Sequence, residues 1–441
     1  MAPRISRRTV LAAGAGAAGL SLPGVAAYAD DRATTSVRFT LNAQVLDGGE
    51  QVTSLTLRTS KLGPIDPSGL TTGIFGVHAK ATSPFPVAPD DFIFGEYDLD
   101  RTVTAVRLDH RGDLVLDLSH GEGQTGGGTL GYLARAGRNV MLDLVYTLTQ
   151  HTPIPLRNHR TIVIDDFVQD PRLSDPEVDA FSSHVSGSGM KYRLYSPTAP
   201  HPSRHKKRPL ILWLHGGGEG ASLPNDYYDN QTTLRANRGA LGFATPEAQR
   251  IFDGAYVLAP QSTSYWMEDG PRFAPLIHEI ISDVTRRSHI DRDRIYVAGC
   301  SNGGYMSLKM TTVYPTVFAA SVPVCGVVGS FPPGGAPLIP DSDLARISTP
   351  TWLVTSRDDT TVDPQANTVH AHDMIPGSLM TLYDHVVWNG RQFDGHWSWI
   401  YVARNDPSMN GTHVWQWMAA RQRHLRSPGT ALPPGSAVAG S

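Results

Sequence analysis

Gly299-Cys300-Ser301-Asn302-Gly303 follows the apolar run Arg294-Ile295-Tyr296-Val297-Ala298 and precedes a helix-compatible stretch. A serine between glycines where a strand turns sharply into a helix is a nucleophile elbow: the crowded turn lifts the hydroxyl clear of the sheet, and only small flanking residues fit. A serine hydroxyl is a weak nucleophile at neutral pH, so it needs a histidine to take its proton and an acid to fix that histidine's tautomer. The acid is expected after the strand around Thr351-Trp352-Leu353-Val354-Thr355, where Asp358, Asp359 and Asp363 compete. Asp359 is favoured, because the Asp-x-x-Val spacing lets a valine anchor the loop while the carboxylate turns toward the base. The histidine is expected after the last strand, and Asp394-Gly395-His396-Trp397-Ser398-Trp399 supplies His396 behind a flexible glycine. His385 falls inside the presumed last strand and reads as structural.

Acyl transfer builds an oxyanion that backbone N–H groups must meet. His215-Gly216-Gly217-Gly218 provides a loop free of side chains for that purpose. Gly217 is the expected donor, Gly218 remains open, and the N–H of Asn302 is the second donor. Tyr265, Trp266 and Trp397, with Trp399 beside them, are expected to form an aromatic rim that contacts substrate. The activity is expected to rise with pH as His396 becomes neutral, near an ordinary imidazole midpoint of ~7. His370-Ala371-His372 lacks the i, i+4 spacing of a helical zinc pair, so neither a metal nor a cofactor is expected.

These residues need a scaffold. From about 34 to 150, short alternating segments such as Ser54–Arg58, Thr102–Leu108, Leu114–Leu118 and Val140–Leu148 predict half-buried antiparallel strands. They imply an all-β, immunoglobulin-like sandwich over residues 30–150 that lacks the usual cysteine pair. The Gly-rich stretch Gly121–Gly131 has no Gly-Lys-Ser/Thr and reads as a hairpin connection. Residues 151–184 read as linker and entry segment. From 185 to 426, strands alternate with helices, which predicts a mostly parallel sheet flanked on both sides. Leu210–Leu214, Ala255–Ala259, Ile295–Ala298, Thr351–Thr355 and Met380–Val386 are its strands, and Leu276, Ile277, Ile280, Ile281 and Val284 form one apolar helical stripe. His201 to Arg208 reads as a solvated loop, and residues 427–441 as a disordered tail.

The chain has 441 residues, 40% hydrophobic and 18% charged, with a formal charge of −3. That is enough to build two domains, and it carries no basic excess of the kind that binds nucleic acid. Ser6-Arg7-Arg8-Thr9-Val10-Leu11, followed by an Ala/Gly-rich stretch to Ala27-Tyr28-Ala29, predicts a twin-arginine export signal over residues 1–29, with a Sec signal as the alternative. Release into the extracellular space without stable membrane insertion is therefore expected. Cys300 and Cys325 are the two cysteines, and whether they pair is open at this level.

Residues 185 to 420 resemble secreted esterases related to polyhydroxyalkanoate depolymerases and feruloyl esterases. The likeness rests on Tyr192-Arg193-Leu194-Tyr195-Ser196-Pro197, Leu214-His215-Gly216-Gly217-Gly218-Glu219, Ala259-Pro260-Gln261, Ile290–Tyr296, the elbow and Asp394-Gly395-His396. Asn302 stands where methionine or glutamine is more usual, and Cys300 is also less usual. With a β-rich module ahead, the arrangement resembles esterases of the α/β-hydrolase fold that carry an immunoglobulin-like domain. The resemblance implies hydrolysis of small or polymeric carboxylic esters without a cofactor, with Ser301, Asp359 and His396 as the triad. The absence of propeller repeats ahead of the hydrolase argues against a prolyl oligopeptidase type of peptidase.

Overall fold

The computed structural model describes residues 35–197, 206–221, 227–331 and 334–423. The expected export signal, most of the His201–Arg208 loop and the expected tail lie outside these residues. Eight strands form the larger sheet: β1 (Phe181–Val185), β2 (Lys191–Tyr195), β3 (Arg208–Leu214), β4 (Tyr256–Pro260), β5 (Ile290–Cys300), β6 (Ala320–Val324), β7 (Trp352–Ser356) and β8 (Leu379–Tyr383). Their spatial order is β1-β2-β4-β3-β5-β6-β7-β8. β1, β2 and β4 pair antiparallel, and every pairing from β4 to β8 is parallel. This is the α/β-hydrolase arrangement.

Alternation along β3 explains why helices cover both faces. Leu210, Leu212 and Leu214 join one core with Ile277, Ile280 and Met306, while Ile211 and Trp213 join another with Leu241, Phe243 and Trp415. The helix Gly270–Arg287 lays Phe273, Ala274, Ile277, Ile280, Ile281 and Val284 on the sheet. Asp269 caps its start by accepting from Arg272 N, and Arg286 and Arg287 lie in its last turn, where cations suit the helix dipole.

The N-terminal part is built from strands. Asp166–Ser174, Ser36–Leu46, Gly49–Leu57, Leu114–Leu118 and Val103–Leu108 form a five-stranded sheet, and Asp143–Gln150, Phe75–Thr82 and Tyr97–Arg101 a three-stranded one. Phe39, Leu41, Leu55 and Leu116 from the first share a core with Phe75, Val77, Tyr146 and Leu148 from the second. A further small sheet, Ile93–Phe94, Leu130–Leu133 and Arg138–Met141, reaches toward the hydrolase, where Met141 N donates to Tyr227 Oη at 2.7 Å.

Two local expectations need correction. Val140–Leu148 is not one strand: Leu142 N turns to Thr129 O at 2.9 Å, so the run divides between two sheets. Gly121–Gly131 is not a hairpin connection, because it joins strands of different sheets. Residues 151–184, expected as linker and entry segment, carry regular structure of their own. They hold a small hairpin (Ile154–Pro155 with Thr161–Ile162), a strand that pairs in parallel with Ser36–Leu46, and β1 of the hydrolase sheet.

Candidate active site

Ser301 follows the last residue of β5 with φ 54° and ψ −115°, a positive-φ conformation that a side-chain-bearing residue adopts only under strain. Both flanking glycines are required by space. A Cβ on Gly303 would lie 1.9 Å from Leu214 O, and one on Gly299 would lie 2.6 Å from that same oxygen. Ser301 N donates to Val324 O at 2.8 Å, tying the elbow to the end of β6.

Beyond β7, Asp359 is buried and accepts from Thr361 N and Val362 N, both at 2.9 Å, on Oδ1. Its other oxygen lies 2.8 Å from His396 Nδ1. Asp358 is engaged elsewhere: its Oδ2 lies 2.9 Å from Nδ1 of the exposed His385. Asp363 caps the following turn through Gln365 N and Ala366 N. His396 is itself buried, on a short helical turn whose backbone is held by Asp394 Oδ1 at 2.8 Å. Burial disfavours the imidazolium, but Cys325 and the Asp359 carboxylate favour it more strongly, and the ring's pKa is raised above 6.5.

The loop after β3 carries its own ordering device. His215 is fully buried, its Nδ1 lies 2.6 Å from Gly216 O, and its Nε2 accepts from Ser262 N at 3.0 Å. Burial pushes this imidazole down to about 4, so it is neutral with the proton on Nδ1, and it holds the loop rather than moving protons. Glu219, at the end of the same loop, is also buried. Burial pushes its carboxyl up to about 7, and Oε2 has no hydrogen-bond partner among the described residues. Asn302 accepts from Met267 N at 3.0 Å through Oδ1, so its side chain ties the helix start to the segment Trp266–Glu268.

One cavity of about 930 Å³ gathers Ser301, Asn302, Gly216–Gly218, Glu219, Tyr265, His396, Trp397 and Trp399. Its opposite wall comes from the N-terminal part: residues 47–51, Phe94, Leu130, Tyr132, Gly137 and Asn139. Sequence reasoning missed this wall, because residues more than 150 positions from the elbow carry no local sign of facing it. Trp266, expected on the rim, is not there: it is fully buried, packed on His215 and Phe273, and donates through Nε1 to His215 O at 3.1 Å. Both cysteines are free and buried.

Cys325, Asp359 and His396 bring a thiol, a carboxylate and an imidazole within 4.8 Å of one another. Tetrahedral zinc would need its nitrogen and oxygen ligands roughly 3.4 Å apart, given bonds near 2.1 Å, so the 2.8 Å Asp359–His396 bond would have to break to admit it. His370 and His372 turn to different partners, Asp341 and Ser378.

The fold and the site together define a serine hydrolase. The sequence model of the prolyl oligopeptidase family matches residues 277–330, the strand, elbow and helix around Ser301. A candidate esterase, NocK, of Nocardia uniformis subsp. tsuyamanensis is 28% identical over 177 residues, 40% of this chain and 48% of that protein. A poly(3-hydroxybutyrate) depolymerase of Ralstonia pickettii is 29% identical over 164 residues, 34% of this chain and 31% of its own length. The chain thus spans half or less of the curated relatives it matches. Among solved structures, a thermostable esterase superposes with a TM-score of 0.68 at 23% identity, covering 87% of this chain and 99% of that one. That likeness extends the shared fold to the strand-rich N-terminal part.

Proposed function

We propose that the chain is a secreted serine carboxylesterase that hydrolyses short- to medium-chain carboxylic esters through an acyl-enzyme. The carrying observation is the 2.8 Å contact between buried Asp359 and His396, the latter lining the same cavity as Ser301 and the Gly216–Gly218 loop. Ser301 Oγ attacks the ester carbonyl carbon while His396 Nε2 takes its proton, and Asp359 holds the ring in the tautomer that leaves Nε2 free. The N–H groups of Gly217 and Asn302 receive the oxyanion. Collapse breaks the bond to the alcohol oxygen, which takes the proton from His396. Water, deprotonated by the same ring, then attacks the acyl-enzyme and releases the acid and Ser301.

Tyr265 and Trp397 contact the substrate in this reading, and residues 1–29 direct export by the twin-arginine route. The strand-rich part is proposed to be an immunoglobulin-like sandwich. A second reading, a polyester depolymerase or feruloyl esterase, is favoured by the cavity's size and by exposed Phe94 and Phe331 on its lining. Hydrolysis of a nitrophenyl ester series, acetate to palmitate, with polyester film and a feruloyl ester alongside, tests both. Turnover abolished by Ser301→Ala and favouring short chains is expected. No ester turnover by the folded protein would overturn the proposal, and preference for film or feruloyl ester would select the second reading.

A further inference from the structure

We propose that Arg138, carried by the strand-rich N-terminal part, is a positioning residue for the oxyanion loop of the hydrolase. The inference rests on the reading of Ser301 as nucleophile. Arg138 is 1% exposed. Its Nη1 donates to Gly217 O and to Gly137 O, each at 3.1 Å, and its Nε donates to Ala221 O at 2.7 Å. The guanidinium therefore grips the loop at two carbonyls that flank Gly218 to Gly220. It also lies 3.3 Å from the ring centre of Tyr265, whose hydroxyl returns to the N-terminal part by donating to Ala136 O at 3.1 Å.

Peptide geometry turns this grip into control of the oxyanion donors. A trans peptide is planar, with its C=O and the following N–H on opposite edges. Holding Gly217 O therefore orients the N–H of Gly218, just as His215 Nδ1, by holding Gly216 O at 2.6 Å, orients the N–H of Gly217. The peptides on both sides of Gly217 are thus held at their carbonyl oxygens, one from each part of the chain, and with both fixed the N–H of Gly217 cannot turn away from the oxyanion. Glycines supply no side chain to restrain these peptides, and within the loop Gly217 O meets Gly220 N only at a long 3.4 Å, so a firmer hold from outside aims the donor before the charge develops. A guanidinium suits the task because its fork spans several carbonyls, whereas a lysine ammonium is a single point.

Arg138→Met, Arg138→Lys and Arg138→Ala test the inference on nitrophenyl acetate, with exposed Arg135→Ala, whose guanidinium holds the carboxylate and carbonyl of Asp90, as the charge control. The expected result is a fall in kcat of about 10- to 100-fold in the Met variant with KM within about twofold, the pattern of a lost transition-state interaction. Binding of an alkyl boronate, whose tetrahedral adduct places an oxygen in the same hole, should weaken in proportion. Added methylguanidinium should restore part of kcat in Arg138→Ala, and lysine should rescue less than arginine. Unchanged kcat, a rise in KM alone, or a loss fully explained by the unfolded fraction would overturn it. Should Arg138→Met fail to fold, Arg138→Lys and the methylguanidinium response decide. Activity surviving in Ser301→Ala would instead overturn the nucleophile reading itself.

Discussion

Asp359 and His396 illustrate how little of a residue's role lies in its type. Asp358 and Asp359 are adjacent carboxylates, yet Thr361 N and Val362 N turn the second toward His396, while the first pairs with exposed His385. The order of serine, acid and histidine was readable from the chain, and the Asp-x-x-Val spacing pointed to the register. The opposing influences on His396 were not. Its raised pKa has a consequence with a definite sign: a general base acts when neutral, so activity should appear as pH rises through the raised value. The acidic limb of kcat/KM is expected above 6.5, on the alkaline side of an unperturbed imidazole, and a limb at or below that value would contradict the assigned environment. Asp359→Asn should move the limb downward while lowering kcat by about 10⁴-fold, because the ring loses its preferred tautomer. The same shift stabilises the fold below the unfolded value, and that contribution fades as pH climbs through the folded one.

Elements, rather than single residues, decide whether the elbow forms. β3 and β5 lie side by side with Leu214 paired to Gly299, so their backbones converge where the helix Asn302–Val313 begins. Gly303→Ala would place a methyl group against Leu214 O, at a distance no packing tolerates without backbone movement. We expect a loss of roughly 1–3 kcal/mol in stability, measured by urea unfolding, and a larger proportional loss in kcat as Ser301 shifts. A variant with both unchanged would show that the turn does not need glycine there. The buried strands and the amphipathic helix were readable from hydrophobic pattern, since the parallel strands are apolar on both faces. Trp266 follows Tyr265 in the chain but does not line the cavity with it. The ring instead turns inward onto His215 and Phe273, where its indole N–H finds a carbonyl.

At the scale of the molecule, the two parts meet through charged groups, of which the Arg235–Glu50 pair is buried on both sides. Arg235 pairs with Glu50, which also accepts from Thr129 Oγ1 at 2.7 Å. Arg404 grips Asp47 with contacts of 2.9 to 3.1 Å, and Arg238 holds Glu177 at 2.7 Å through two nitrogens and Val45 O through one. Such an interface should make the two parts unfold together, so calorimetry is expected to show one transition. Arg235→Met would leave the Glu50 carboxylate buried without its counter-charge and should cost about 3–5 kcal/mol. Two separate melting transitions in the unaltered protein, or a negligible effect of this change, would mean that the parts are energetically independent. No helix among the described residues is long and apolar enough to cross a membrane.

The sequence by itself determined the features that rely on local spacing. An elbow needs glycine on either side of serine, the loop proposed to receive the oxyanion needs a run without side chains, and buried parallel strands need continuous apolar runs. Each requirement is met within a few residues and is therefore visible in one dimension. Only the tertiary structure decided which carboxylate faces His396, that His215 is a neutral brace, that Trp266 is core, and that residues 47–51 and 94–139 wall the cavity. Those outcomes depend on burial and on contacts across more than a hundred residues, and neither desolvation nor long-range proximity leaves a mark in the spacing of the chain.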